Sequence, residues 1–186
     1  MGAVGGAMVK VAVVGAESLV SSPNSDDCIV DLLDLVLLPG SNDESWCQGL
    51  DGLASRSVEY YKQGVRFAKW RTVVSIPCGP SALAVKAAAW VSLVMLLFLS
   101  SLNPGHEILL DGDHPIKRTI EMAEHVWSEV FYWADNNVVF EGILLKPSMV
   151  TPGAEHEEKA SPETIAKYTL TMLKKRVPPA VPGIMI

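Results

Sequence analysis

An α/β fold built on a parallel sheet is predicted from three observations. The segment 138–148 is apolar on both faces of a strand, the pattern of a strand covered on either side, and 67–76 reads as a second strand. Helix signals separate and follow them, each with its own start or stop residues. The helix signal over 115–137 leads into 138–148 and completes one strand-to-helix-to-strand step, and such alternation builds parallel sheets.

Composition narrows the function classes. The chain has 186 residues, 49 % of them hydrophobic and 19 % charged, which suits one domain with a substantial core. A net charge of −6 leaves no basic footprint, so a nucleic-acid partner is not expected. Cys28, Cys47 and Cys78 are widely spaced and odd in number, which suggests neither a disulfide framework nor a zinc site and fits a reducing compartment. Residues 1–20 are rich in Gly, Ala and Val, but Lys10 interrupts the apolar run and no transit-peptide composition is visible. The glycines of 2–6 lack phosphate-binding punctuation, which argues against nucleotide binding.

The leucine-rich tract 31–38 fits a short helix or a strand. A helix is expected over 49–63, closed by Gly64 as a left-handed cap, and a strand over 67–76. Lys69 and Arg71 stand two apart in that strand and share a side. Two cations on one face of a covered strand repel, so the pair calls for an anionic partner; an exposed edge with a solvated basic face is the alternative. Ser81 reads as the N-cap of a helix over 82–90.

The uncharged run 91–102, taken with 87–90, approaches the length of a membrane span. It has no flanking basic residues and no aromatic belt, so a membrane partner is not expected. Asp111-Gly112-Asp113-His114 gathers metal-ligand types at a spacing that fits no EF-hand or zinc pattern. With Pro115 at the first helical position, Asp113 or His114 is expected to cap the next helix. That helix carries Ile116, Ile120, Ala123, Trp127, Val130 and Ala134 as a core-facing stripe. Asn136-Asn137 ends it. Another capped helix follows from Ser161-Pro162-Glu163 to about 175, with Ile165, Thr169, Met172 and Leu173 inward and a basic last turn.

Within 138–148, alternation puts Gly142, Leu144, Lys146 and Ser148 on one face and Glu141, Ile143 and Leu145 on the other. Lys146 ends the run before Pro147, where strand-to-helix loops build active sites. Burial favours the neutral amine, which is a nucleophile, so a Schiff base with a carbonyl substrate is one reading. A strand-end lysine reaching to solvent is the plainer reading of the pattern alone.

The stretch V-V-F-E-G-I-L-L-K-P-S-M-V-T-P-G-A-E-H, 138–156, resembles the active-site signature of class I fructose-bisphosphate aldolases, with Lys146 at the Schiff-base position. F-A-K-W-R, 67–71, resembles the family's fourth-strand motif, and P-G-S-N-D-E-S-W-C-Q-G-L-D-G-L, 39–53, resembles the loop and helix after its third strand, especially in plastid-type plant members. The resemblance covers 38–90 and 107–185, leaving 1–37 as a non-matching N-terminal segment, 38–186 as a partial aldolase barrel and 91–105 as a divergent apolar insert.

The resemblance implies a partial (β/α)8 TIM barrel, the central portion only, with an altered fifth-strand region. It implies reversible cleavage of fructose 1,6-bisphosphate to dihydroxyacetone phosphate and glyceraldehyde 3-phosphate. In that reading Lys146 is the nucleophile, Lys69 and Arg71 bind substrate, and Glu107 is a positioning carboxylate. It implies no metal and no cofactor, a phosphorylated sugar as substrate, a homo-oligomer or association with intact aldolase subunits, and the chloroplast, with the cytoplasm as alternative.

Three departures lower the expected turnover. The family's third strand, G-I-K-V-D-K-G, has no counterpart lysine, since none stands between Lys10 and Lys62. The fifth strand ends V-E-P-E-I-L in the family, and here Gly105 and His106 replace the first glutamate and the proline. Codons for the family helix G-L-A-R-Y-A-A-I-S-Q, read one nucleotide later, spell V-S-L-V-M-L-L-F-L-S, so 91–105 is expected to be a frame-slipped or mis-spliced translation.

Overall fold

The structure, a computed structural model, describes residues 10–14, 28–31, 35–40, 44–48, 50–63, 65–77, 79–98, 102–108, 111–132 and 138–184. Strands and helices follow one another as β1 (Lys10–Val14), β2 (Cys28–Asp31), β3 (Leu35–Leu37), β4 (Ser45–Cys47), α1 (Leu53–Lys62), β5 (Val65–Val74), α2 (Ala82–Phe98), β6 (Leu102–Ile108), α3 (Ile116–Tyr132), β7 (Leu144–Leu145), α4 (Pro162–Arg176) and β8 (Gly183–Ile184). One sheet has the order β2-β1-β5-β6, every neighbouring pair parallel. A second parallel pair, β7 with β8, continues beside β6.

The leucine-rich tract divides into β2 and β3, with 32–34 outside the described residues. β3 turns back on itself instead of joining the main sheet. Gly40 adopts φ +78, a left-handed conformation that glycine enters without steric cost, and Leu38 N–H bonds the Glu44 carbonyl at 2.7 Å. The result is an antiparallel hairpin of β3 with β4, and the parallel neighbour of β5 on that side is β1, with Val11 opposite Phe67.

The first helix is shorter than expected. Gly52 holds φ +71, so α1 starts at Leu53 rather than at position 49. Its C-cap is Gln63 at φ −80, whose N–H returns to the helix; Gly64 lies outside the described residues. Ser81 does cap α2: its Oγ accepts from Ala84 N–H at 3.1 Å and its carbonyl from Val85 N–H. The buried Glu44 carboxylate accepts the Ser81 N–H and brings negative charge to the positive end of the helix.

The helix expected over 82–90 does not stop there. The uncharged run continues it to Phe98, and Leu102–Ile108 then forms β6. Among the described residues, no helix is long and apolar enough to cross a membrane.

Helices α2, α3 and α4 cover one face of the strands. In the core, Val74 of β5, Ile108 of β6 and Leu145 of β7 meet Val85 of α2, Trp127 of α3 and Met172 of α4. Each such side chain, fully withdrawn from water, contributes roughly 1.5–3 kcal/mol. The expected stripe of α3 is observed: Ala123, Trp127 and Val130 are buried, and Ile116 and Ile120 pack partly buried against the core, while Ala134 lies outside the described residues. In α4, Ser161 Oγ accepts from Thr164 N–H, and Thr169, Met172 and Leu173 point inward with Ile165 half-buried. The basic last turn has a further role, because Lys175 and Arg176 both bond Glu124 of α3, at 2.5 and 2.9 Å.

The segment 138–148 is not one long strand. Gly142 N–H bonds Val139 O and Ile143 N–H bonds Phe140 O, which makes Phe140–Gly142 a turn of 3-10 helix and leaves β7 with two residues. Phe140 meets Phe131 of α3 edge-on, ring centroids 5.8 Å apart. Packing onto the helix wins over strand propensity there.

Candidate active site

Lys146 stands directly after β7, and the alternation around it is the expected one. Ile143 is 2 % exposed and Leu145 is fully buried, whereas Leu144 is 39 % exposed. Odd positions therefore enter the helix-covered core, and Lys146, half-buried, follows the Leu144 side. Pro147 is buried behind it and fixes the backbone where the strand ends. Lys146 makes no ion pair or hydrogen bond among the described residues.

The C-terminal ends of β5, β6 and β7 meet at this point. In the register of β5 with β6, Lys69 is opposite Asn103, Arg71 opposite Gly105, and Val73 opposite Glu107. Ile108, the last residue of β6, donates its N–H to Ser148 Oγ across a long 3.4 Å bond, which ties the end of β6 to the chain two residues past Lys146. The backbone thus brings the strands bearing Lys69, Arg71, Glu107 and Lys146 to one edge of the sheet. The side chains of Lys69, Arg71 and Glu107 lie outside the described set.

The loops that leave these strands are joined by contacts the sequence did not disclose. Ser75 Oγ, one residue past β5, donates to Asp111 Oδ2 at 2.8 Å. Neither Asp113 nor His114 caps α3: the Pro115 carbonyl accepts from Arg118 and Thr119, Asp113 bonds His156, and His114 is buried. Val150 N–H is held by Thr169 Oγ1 of α4 at 2.9 Å. The sequence signal for such a contact is a hydroxyl residue on an otherwise apolar helix face. Helical spacing placed Thr169 in the inward stripe of α4 without that contact, and the stripe of α3 leaves out Thr119, which is only 1 % exposed. Among the described residues, no group of three or more His, Cys, Asp or Glu is arranged to hold a metal ion.

The family model for class-I fructose-bisphosphate aldolase matches residues 28–186. Fructose-bisphosphate aldolase 3, chloroplastic, of Arabidopsis thaliana is 75 % identical over 154 residues, which are 80 % of this chain and 39 % of that protein. Fructose-bisphosphate aldolase 1, chloroplastic, of Pisum sativum is 58 % identical over 199 residues, 97 % of this chain and 56 % of that one. A solved structure of fructose-bisphosphate aldolase from Plasmodium falciparum, in complex with TRAP and a small molecule inhibitor, superimposes with a TM-score of 0.76 at 35 % identity, covering 96 % of this chain and 57 % of that chain. This chain spans about half the length of the relatives it matches. Its parallel strands with crossover helices are of the TIM-barrel type. The chain belongs to the class I fructose-bisphosphate aldolase family.

Proposed function

We propose that this chain carries the Schiff-base half of a fructose-bisphosphate aldolase site, with β5 to β8 standing as strands four to seven of a (β/α)8 barrel. The observation that carries the reading is Lys146 itself: a half-buried lysine at the end of a strand, beside the ends of the strands that bear Lys69, Arg71 and Glu107. Its amine would attack the ketone of fructose 1,6-bisphosphate and lose water to give an iminium. The C4 hydroxyl then gives its proton to solvent while the C3–C4 electron pair passes to the iminium, glyceraldehyde 3-phosphate leaves, and the enamine that remains is protonated at carbon and hydrolysed to release dihydroxyacetone phosphate and the lysine. No metal is needed, because the iminium is the electron sink. Lys69 and Arg71 bind phosphate, and Glu107 orients the lysines.

Turnover by this chain is weak in this reading. Gly105, the register partner of Arg71, stands where the family has a glutamate that shuttles protons, and glycine has no group to do so. High identity to chloroplastic relatives supports a plastid location, and assembly into a homo-oligomer or with intact aldolase subunits fits the exposed Leu144 and Ile184 on the β7–β8 pair. A non-catalytic fragment that docks on intact subunits or on a membrane is the second reading, favoured by Gly105 in place of that glutamate.

Borohydride trapping with dihydroxyacetone phosphate, followed by mass spectrometry of the Lys146 peptide, separates the two. An adduct on Lys146 that disappears in Lys146→Arg is expected. No adduct under conditions that trap an intact relative would leave the aldolase identity as ancestry alone.

A further inference from the structure

The β6–α3 loop and the chain that follows Lys146 are fastened face to face. Gly153 N–H bonds the His114 carbonyl at 2.9 Å, and Glu155 N–H bonds the Gly112 carbonyl at 3.2 Å. His156 Nδ1 meets Asp113 Oδ1 at 2.5 Å. A Cβ built on Gly153 would collide with the Gly112 carbonyl oxygen and lie 3.0 Å from the His114 ring, so the two loops are in full backbone contact. His114 lies at the centre and is 4 % exposed.

The direction of its hydrogen bonds follows from valence. Thr119 has one hydroxyl proton, and Thr119 Oγ1 donates it to the Thr151 carbonyl across 2.6 Å. His114 Nδ1, 3.0 Å from the same Oγ1, therefore carries the proton of that bond and donates it. The chain of donors runs from His114 through Thr119 to Thr151, five residues past the lysine. His114 Nε2 is buried with no hydrogen-bond partner among the described residues. One ring nitrogen thus has a defined task and the other has none, so what the position demands is an N–H at the δ site.

We propose that His114 is a positioning residue for Lys146: through Nδ1–H, Thr119 Oγ1 and the Thr151 carbonyl it holds the segment 147–153 that fixes where the lysine amine points. The role rests on the aldolase reading for its chemical readout and on the loop contacts for its structural one. An amine displaced by even about 1 Å from its attack position loses on the order of 10²-fold in rate. Substrate phosphates are bound elsewhere, so the effect falls on the rate of imine formation and not on the half-saturating ligand concentration.

The test uses four variants of the whole chain. Asn places its side-chain N–H where His Nδ1 stands, and Gln places it where Nε2 stands. His114→Asn and Thr119→Ser are expected to trap dihydroxyacetone phosphate on Lys146 near the wild-type rate. His114→Gln and Thr119→Val are expected to slow trapping at least about tenfold, roughly the worth of one buried hydrogen bond, at unchanged half-saturation. Hydrogen exchange on the unliganded chain gives an independent arm. The Gly153 and Glu155 amides are expected to exchange faster in His114→Gln and Thr119→Val only, with the Met172 amide of α4 unchanged. Should His114→Gln fail to fold, Thr119→Val and Thr119→Ser decide. Wild-type chain that traps no dihydroxyacetone phosphate refutes the aldolase reading, and exchange alone then judges the latch. Equal exchange and equal trapping across all four variants overturn the proposal, as does equal loss in His114→Asn and His114→Gln.

Discussion

Helices α2 and α3 have the same length, 17 residues, and pack on the same side of the same sheet, but they are specified in different ways. α3 has a polar face and an apolar stripe, and the residues it buries, Thr119, Ala123, Val126, Trp127 and Val130, recur at three- and four-residue steps. α2 has a single charge, Lys86, and buries three consecutive residues, Val91, Ser92 and Leu93, while leaving Leu83 and Trp90 exposed. An amphipathic helix has one orientation that hides its apolar surface. A helix that is apolar all round has several of similar free energy, so its neighbours, here the Ser81 cap and the Glu44 carboxylate at its start, must fix its rotation.

The tryptophans of the two helices test this contrast most sharply. Trp127 is 2 % exposed and stacks on Phe131 at 5.7 Å, whereas Trp90 is 50 % exposed. Trp127→Ala is expected to destabilise the chain by about 3–5 kcal/mol through lost burial and a residual cavity. Trp90→Ala should cost less, about 1–2 kcal/mol, because half of its side chain is already in water. Urea unfolding followed by circular dichroism measures both, and comparable losses would mean that α2 buries a different face in solution.

Loop glycines offer the next largest effect. Gly153→Ala drives a methyl group against the Gly112 carbonyl oxygen, a backbone atom that cannot rotate away, and is expected to cost about 1–3 kcal/mol. Gly40→Ala meets nothing within 4 Å and bears only the strain of a positive φ, about 1 kcal/mol. Thermal melts of the two variants rank them, and a larger loss at Gly40 would remove the case for close loop contact at Gly153.

What the sequence could disclose follows the same division. The stripes of α3 and α4, their capped starts and the lysine after β7 depend on residues within a few turns of one another, so spacing reveals them. The 3-10 turn at Phe140–Gly142 depends on Phe131 across the end of α3, and the pairing of β1 with β5 joins residues more than fifty positions apart. Period-two counting could not find either. For the site, alternation correctly separated Leu144 and Lys146 from Ile143 and Leu145. The polar contacts between the loops around the site, Ser75 to Asp111 and Thr119 to Thr151, link segments far apart in the sequence.

α3 has a second means of holding its rotation, and it titrates. The Lys175 ammonium, hydrogen-bonded to the Glu124 carboxylate, holds that carboxyl below its ordinary value of 4.5, and Arg176 adds to the effect against the opposing influence of burial. A carboxyl whose pKa is lower in the folded chain than in the unfolded chain binds fewer protons when folded. Its contribution is therefore complete above the unfolded value and is lost as pH falls through the folded one. Lys175 is more than half exposed, so solvent screens the pair and its worth is about 1 kcal/mol at most. Glu124→Gln should accordingly lower stability by that small amount at pH 7, and the gap to the wild-type chain should close between about pH 5 and pH 3. Added salt should narrow the gap at pH 7 as well. A gap that stays constant across that range would mean that Glu124 fixes α3 by its shape and hydrogen bonds, with its charge contributing nothing.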